Sequence, residues 1–193
     1  MRHPKILVIP GSARNHSHNA RLAALAAKEL TLVDADVSQI SLFDYPMPLY
    51  DADHDVVSGP PPNAVKLKKM MAAHHGIFIA SPEYNASISP LMKNTIDWVS
   101  RVRERGDPPY AAFHGRAFAL GSASPDVLGG ARGLIALRQV LELGCGAMVL
   151  PEQVIVPNAE NAFDDLDNLK DARQATALKT LALRLVEMAQ QLS

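Results

Sequence analysis

Short, wholly apolar runs alternate along the chain with longer stretches in which apolar positions recur every three or four residues. Lys5-Ile6-Leu7-Val8-Ile9-Pro10 is the first run, and it breaks at Gly11-Ser12. Gly76-Ile77-Phe78-Ile79-Ala80 and Arg116-Ala117-Phe118-Ala119-Leu120-Gly121 are of the same kind, as is Ala147 to Val156, interrupted by Pro151. Such runs predict strands buried on both faces. Asp36 to Leu42 adds a second strand between the first and third. Helical spacing covers Asn19 to Leu30, with Leu22, Leu25, Ala26 and Leu30 on one side, and then Pro62 to His75. It returns over Pro90 to Val102, with Pro90 in the first turn, and over Arg132 to Leu143. A long final helix is predicted from Asp165 to Leu192, on Leu166, Leu169, Leu178, Leu181, Leu185, Met188 and Leu192. The proline-rich stretch from Phe43 to Pro62 and the segment from Ser81 to Ser87 read as loops.

Five strands alternating with five helices predict an α/β fold, a doubly wound parallel sheet with helices on both faces. Ligands of such sheets bind at the carboxyl ends of the strands, near the point where strand order reverses. The loops after the first, third and fourth strands are therefore the ones to read for chemistry. A length of 193 residues suits one such domain, with no repeat or linker to divide it.

Composition removes several functions. A net charge of -1 lacks the surplus of Lys and Arg that nucleic-acid binding needs. The single cysteine, Cys145, excludes an intrachain disulfide and any cysteine-rich metal centre. The apolar run after Met1-Arg2-His3-Pro4 is too short for a signal peptide or a membrane span, so a cytoplasmic protein without membrane contact is expected.

Gly11-Ser12-Ala13-Arg14-Asn15-His16-Ser17-His18-Asn19 joins the first strand to the first helix. Free N–H groups and the positive end of the helix dipole at such a junction favour an anion. Ser12 and Ser17 add hydroxyl donors, Arg14 a planar charged fork and Asn19 a helix cap. The loop is neither a nucleotide-triphosphate loop nor a three-glycine dinucleotide loop, and its polar side chains suit a terminal phosphate. An ordinary capped turn explains the same residues, and His16 with His18 lack further ligands for a metal.

After the third strand, Ser81-Pro82-Glu83-Tyr84-Asn85-Ala86-Ser87 offers a proline-stiffened turn and one aromatic, suited to the edge of a planar heterocycle. After the fourth, Gly121-Ser122-Ala123-Ser124-Pro125-Asp126-Val127-Leu128-Gly129-Gly130 allows close approach of a ligand to backbone. Trp98 falls on the core side of its helix, with Leu91 and Thr95.

Together these motifs resemble the NADPH-dependent FMN reductase family. The likeness rests on Gly11-Ser12-x-Arg14-x-x-Ser17-x-Asn19, on Ser81-Pro82-Glu83-Tyr84-Asn85-x-Ser87, and on Leu91-x-Lys93-Asn94-x-x-Asp97-Trp98. It spans roughly residues 5 to 156, and the tail after Pro157 is less similar. The resemblance implies a flavodoxin-like sheet of order 2-1-3-4-5 occupying residues 1–193 as one FMN-binding domain. It implies FMN, with Ser12, Arg14, Ser17 and Asn19 at the phosphate, Pro82, Glu83, Tyr84 and Asn85 bordering the ring, and Ser122 near its pyrimidine side; His18, between Ser17 and Asn19, is expected as a further cofactor-binding residue. NADPH or NADH would be the co-substrate, a small molecule the electron acceptor, and a homodimer or homotetramer the assembly. His16-x-His18 departs from the family, where small or apolar residues are common. No side chain is assigned as catalytic and none as a metal ligand.

Other features read as structural. Cys145 lies between glycines without a neighbouring histidine, His74-His75 ends a helix, and Asp51-x-Asp53-His54-Asp55 reads as a solvated acidic loop. Tyr45, Tyr50, Tyr84 and Tyr110 all fall in predicted loops, as candidate walls of a flavin or acceptor pocket. The alternative function is a non-catalytic FMN protein, an electron carrier or redox sensor, although a carrier's acidic docking face is at odds with the charge balance.

Overall fold

In the computed structural model, which describes residues 3–192, β1 (Lys5–Pro10), β2 (Asp36–Gln39), β3 (Gly76–Ala80), β6 (Ala117–Ala123) and β7 (Met148–Val156) form one parallel sheet. Its order is β2-β1-β3-β6-β7, which is 2-1-3-4-5 in the numbering of the five strands expected from sequence. The wholly apolar runs are the central strands β1, β3 and β6, whose side chains are buried almost throughout. The edges differ. β2 is short and largely exposed, ending at Gln39, and Leu42 belongs instead to a single 3₁₀ turn, Leu42–Asp44. In β7, the register against β6 slips between Phe118 and Leu120, with Phe118 facing Val149 and Leu120 facing Gln153. Pro151 sits in that bulge, where a missing N–H costs no ladder bond.

One face is covered by α1 (His18–Leu32) and α6 (Ala172–Gln191), which bury Leu22, Leu25, Leu30, Leu178, Leu181 and Leu185 against it. The other is covered by α3 (Pro62–Ala72), α4 (Pro90–Arg101) and α5 (Ala131–Gln139), through Leu67, Met71, Met92, Ile96, Leu134 and Leu137. Trp98 is fully buried, as expected, and its Nε1 donates to the Pro48 carbonyl at 2.7 Å.

Besides the early end of β2, three stretches outside the cleft depart from the sequence expectation. Within the predicted loop from Phe43 to Pro62 lies a helix, α2 (Ala52–Ser58). The aspartates that looked like a solvated acidic loop build it: Asp51 accepts from the N–H groups of Asp53 and His54, Asp53 and Asp55 favour the positive end, and Asp55 pairs with Arg101. The final helix starts at Ala172 rather than Asp165, because Asp171 caps it by accepting from Arg173 and Gln174 N–H. Residues 157–171 instead form an irregular strap that buries Phe163 and Leu169 beside α1, leaving Leu166 exposed. The helix predicted to reach Leu143 ends at Gln139 and continues as one π turn, Val140–Gly144. Among the described residues, no helix is long and apolar enough to cross a membrane.

Candidate active site

The carboxyl ends of β1, β3 and β6 open on one cleft lined by Ser12, Arg14, Ser17, His18, Asn19, Pro82, Glu83, Tyr84, Ala123, Ser124 and Pro125. Strand order reverses beside β1, where crossovers leave in opposite directions and leave a crevice. The cleft thus brings together the three loops singled out in the sequence.

Its first wall is the start of α1. Ser17 is the N-cap, and its Oγ accepts from Ala20 N–H at 3.4 Å. Ser12 Oγ accepts from Arg14 N–H at 3.2 Å. Both hydroxyls keep their own hydrogen for a ligand. The Arg14 guanidinium is exposed and has no carboxylate partner among the described residues. Two hydroxyls, a free guanidinium and a helix N-terminus form a donor set suited to a phosphate monoester.

Asn19 has a different part from the one the resemblance implied. Its Nδ2 donates to the Ala123 carbonyl at 2.8 Å, and its Oδ1 accepts from Ala123 N–H at 3.0 Å. The amide is fully used in clamping α1 to the end of β6. Asn19 lines the cleft as a strut rather than as a side-chain ligand.

The second wall is a small hairpin. The segment from Ser81 to Ser87, expected as a loop, contains β4 (Glu83–Tyr84) and β5 (Ser87–Ile88), paired antiparallel. Asn85 and Ala86 turn between them at φ of 50° and 61°, as a two-residue hairpin connection requires. The turn carries Asn85 away, so that it is not among the cleft residues. Tyr84 stays in the cleft, about half exposed. The Glu83 carboxylate points to α5: Oε1 accepts from Arg132 Nε at 2.7 Å, and Oε2 accepts from Gly133 N–H at 3.0 Å. Gly133 permits this approach, since a Cβ there would lie 3.0 Å from Glu83 Cα. Glu83 therefore fixes the hairpin, and its charge is spent on Arg132.

The third wall is Ala123-Ser124-Pro125. Ser122, expected at the ring, lies one residue too deep: its side chain is fully buried, its Oγ has no hydrogen-bond partner, and a Cβ on Gly130 would collide with that Oγ at 2.0 Å. β6 is buried along its whole length, Ser122 included, and its chain reaches the cleft only at its end, from Ala123 to Pro125. Ser124 and Pro125 lay in a segment already singled out in the sequence. Arg132 did not stand out there, because its pairing with Glu83 spans 49 residues.

Of the tyrosines, Tyr84 alone lines the cleft. Tyr50 packs edge-on against Trp98 with ring centroids 4.9 Å apart, Tyr45 joins the core beneath α3 and α4, and Tyr110 lies beside His114. Cys145 is buried, and burial pushes its thiol up to about 11, so no thiolate nucleophile is present. His74 Nδ1 donates to the Met70 carbonyl at 2.6 Å, completing the end of α3.

Comparison with known proteins decides what this cleft belongs to. A sequence model of the NADPH-dependent FMN reductases matches residues 4–161. The chain belongs to the NADPH-dependent FMN reductase family. It is 36% identical over 188 residues to an NAD(P)H-dependent FMN reductase of Pseudomonas aeruginosa, covering 94% of each chain. It is 34% identical over 138 residues to a quinone reductase of Escherichia coli, covering 71% of this chain and 69% of that one. Among solved structures, the flavoenzyme NAD(P)H:(acceptor) oxidoreductase FerB from Paracoccus denitrificans superposes with a TM-score of 0.78 at 25% identity, covering 97% and 98% of the two chains. The family match ends within the strap that follows β7, while the likeness to the Pseudomonas aeruginosa reductase and to FerB extends over 94% and 97% of this chain.

Proposed function

We infer that this chain is an FMN-dependent NAD(P)H oxidoreductase that passes electrons to quinones, free flavin or similar small acceptors in the cytoplasm. The observation that carries the reading is the donor set at the start of α1, facing a cleft edged by Tyr84 and by the backbone after β6. Family membership supplies the cofactor class, and Ser12, Arg14 and Ser17 are the residues suited to the FMN phosphate. When bound, FMN supplies the hydride and electron transfer, and the protein supplies position and electrostatics. Pro82 and Tyr84 border the ring from the hairpin, and the backbone from Ala123 to Pro125 borders it from β6. Glu83 holds the hairpin through Arg132 and is not free to act as an acid, so solvent supplies protons. A single open cleft serves NAD(P)H and then the acceptor, which gives ping-pong kinetics. The same reading includes a homodimer or homotetramer: α2 buries none of its own residues, and Val56 and Val57 are 84% and 85% exposed. A second copy seated over these two valines would remove them from water.

Purified protein is expected to bind FMN, turn yellow and oxidise NADPH when a quinone is supplied. Arg14→Ala should weaken FMN binding by about tenfold or more, the scale of a charge-assisted hydrogen bond. Protein that binds no FMN contradicts the reading. FMN binding without NAD(P)H oxidation favours a carrier or sensor instead.

A further inference from the structure

One buried ring nitrogen of the cleft has no partner of its own. His18 is the first residue of α1, and its Nδ1 is enclosed by protein with no hydrogen-bond partner. Buried polar atoms in native proteins are nearly always paired, so an N–H at this enclosed nitrogen would be left without an acceptor, and the ring presents its other nitrogen toward the cleft it lines. Ser12, Arg14 and Ser17 line the same end of the cleft.

The groups around His18 come from every neighbouring element. Arg14 lies on the loop after β1, Arg21 one turn further along α1, and Glu160 on the strap. Arg21 is already held by Asp167, its Nε donating to Oδ1 at 2.7 Å, and its guanidinium stacks 4.5 Å above the Phe163 ring centroid. Across the cleft, Glu83 is bound by Arg132, and Tyr84 presents a phenol. Burial first, and then Arg14 and Arg21, hold the His18 imidazole below its usual range, against a weaker opposite pull from Glu160. The helix N-terminus acts in the same sense, since its partial positive charge opposes an imidazolium. Without a ligand, His18 is therefore neutral at pH 7. A phosphate dianion in the cradle offsets the two arginines and the helix end together and so favours the imidazolium.

We propose that His18 is a proton-coupled phosphate ligand: it takes up one proton from solvent as a phosphate monoester dianion binds, making the hold on FMN pH-dependent and the hold on riboflavin independent of pH. The proposal rests on the reading of the cleft as an FMN site. It gives His18 a part in selecting the phosphorylated flavin.

The test is calorimetric titration of the whole protein with FMN and with riboflavin at pH 7.2, in two buffers of different ionisation heat. Uptake of about half to one proton is expected with FMN and none with riboflavin, since the phosphate itself, with a second pKa of about 6, is already a dianion there. Between pH 6.5 and 8, the Kd for FMN should rise by about five- to tenfold per pH unit, each unit of pKa change being worth up to tenfold. His18→Asn should abolish both effects while still binding FMN, and His16→Asn, in the same loop, should retain them. The unliganded protein gives an independent readout with the opposite sign. There the unfolded chain, with a histidine near 6.5, takes the proton first, so stability declines as pH falls through 6.5, and His18→Asn should flatten that decline. FMN binding without proton uptake, or uptake that survives His18→Asn, overturns the proposal and leaves the FMN reading standing. Failure of both proteins to bind FMN at any pH overturns the FMN reading and the proposal with it.

Discussion

Asn19→Ala is the substitution that separates a strut from a ligand most sharply. The Asn19 amide makes two bonds to one peptide, accepting from Ala123 N–H at 3.0 Å and donating to the Ala123 carbonyl at 2.8 Å. Asn19 is 3% exposed and Ala123 is 2% exposed, so water does not replace the lost amide. Each buried backbone group left unpaired costs about 1–3 kcal/mol, which puts the loss at about 2–4 kcal/mol once partial relaxation is allowed for. That is a large share of the roughly 5–15 kcal/mol by which a domain is stable. Denaturant unfolding of the flavin-free protein at 25 °C should show the midpoint falling with the slope unchanged. Asn19→Asp should do no better, since a carboxylate keeps the bond to the N–H but sets a negative charge against the carbonyl. A flavin-free protein destabilised by less than about 1 kcal/mol, with FMN affinity lost all the same, would refute the strut and return Asn19 to the ligands.

Further expectations follow from other places in the structure. Ala86→Gly relieves a left-handed alanine at the hairpin tip (φ 61°) and should stabilise the protein by about 0.5–1 kcal/mol, raising Tm by about 2 °C in a thermal scan. A lowered Tm would show that the turn is not strained there. Cys145 should resist iodoacetamide at pH 8 in the folded protein and react on unfolding, because burial holds its thiol at about 11. Rapid labelling of native protein would contradict its burial. Lys68 bonds Glu104 at 2.7 Å and Asp107 at 2.6 Å and holds both carboxyls below their usual range. These carboxylates stabilise the fold above about pH 4 and lose that contribution as pH falls through their lowered values, so Lys68→Met should give a shallower acid limb. Parallel stability–pH profiles would contradict the clasp.

The sheet was legible because its central strands are buried on both faces, and a run such as Ile6 to Ile9 or Ile77 to Ala80 has no other comfortable place. Loops read as chemical proved to meet, since strand order alone delivers the ends of β1, β3 and β6 to one crevice. What escaped was set by contacts that spacing does not encode. The aspartates from Asp51 to Asp55 look solvated in one dimension, yet one caps a helix and another reaches Arg101. Leu166 and Leu169 fit the period of the last helix, but the Asp171 cap starts it later. Asn19 and Glu83 carry the motif, and the structure turns both side chains to other partners across more than 45 residues, Ala123 for one and Arg132 for the other. Ser122 misses the cleft because β6 is buried on both faces and opens to the cleft only from Ala123 onward.

A crystal structure grown with FMN tests the central claim most directly. The account predicts the phosphate at the start of α1, within hydrogen-bond reach of Ser12, Arg14 and Ser17, with the ring between Tyr84 and the backbone from Ala123 to Pro125. Flavin density elsewhere on the molecule, or an empty cleft at saturating FMN, would contradict it.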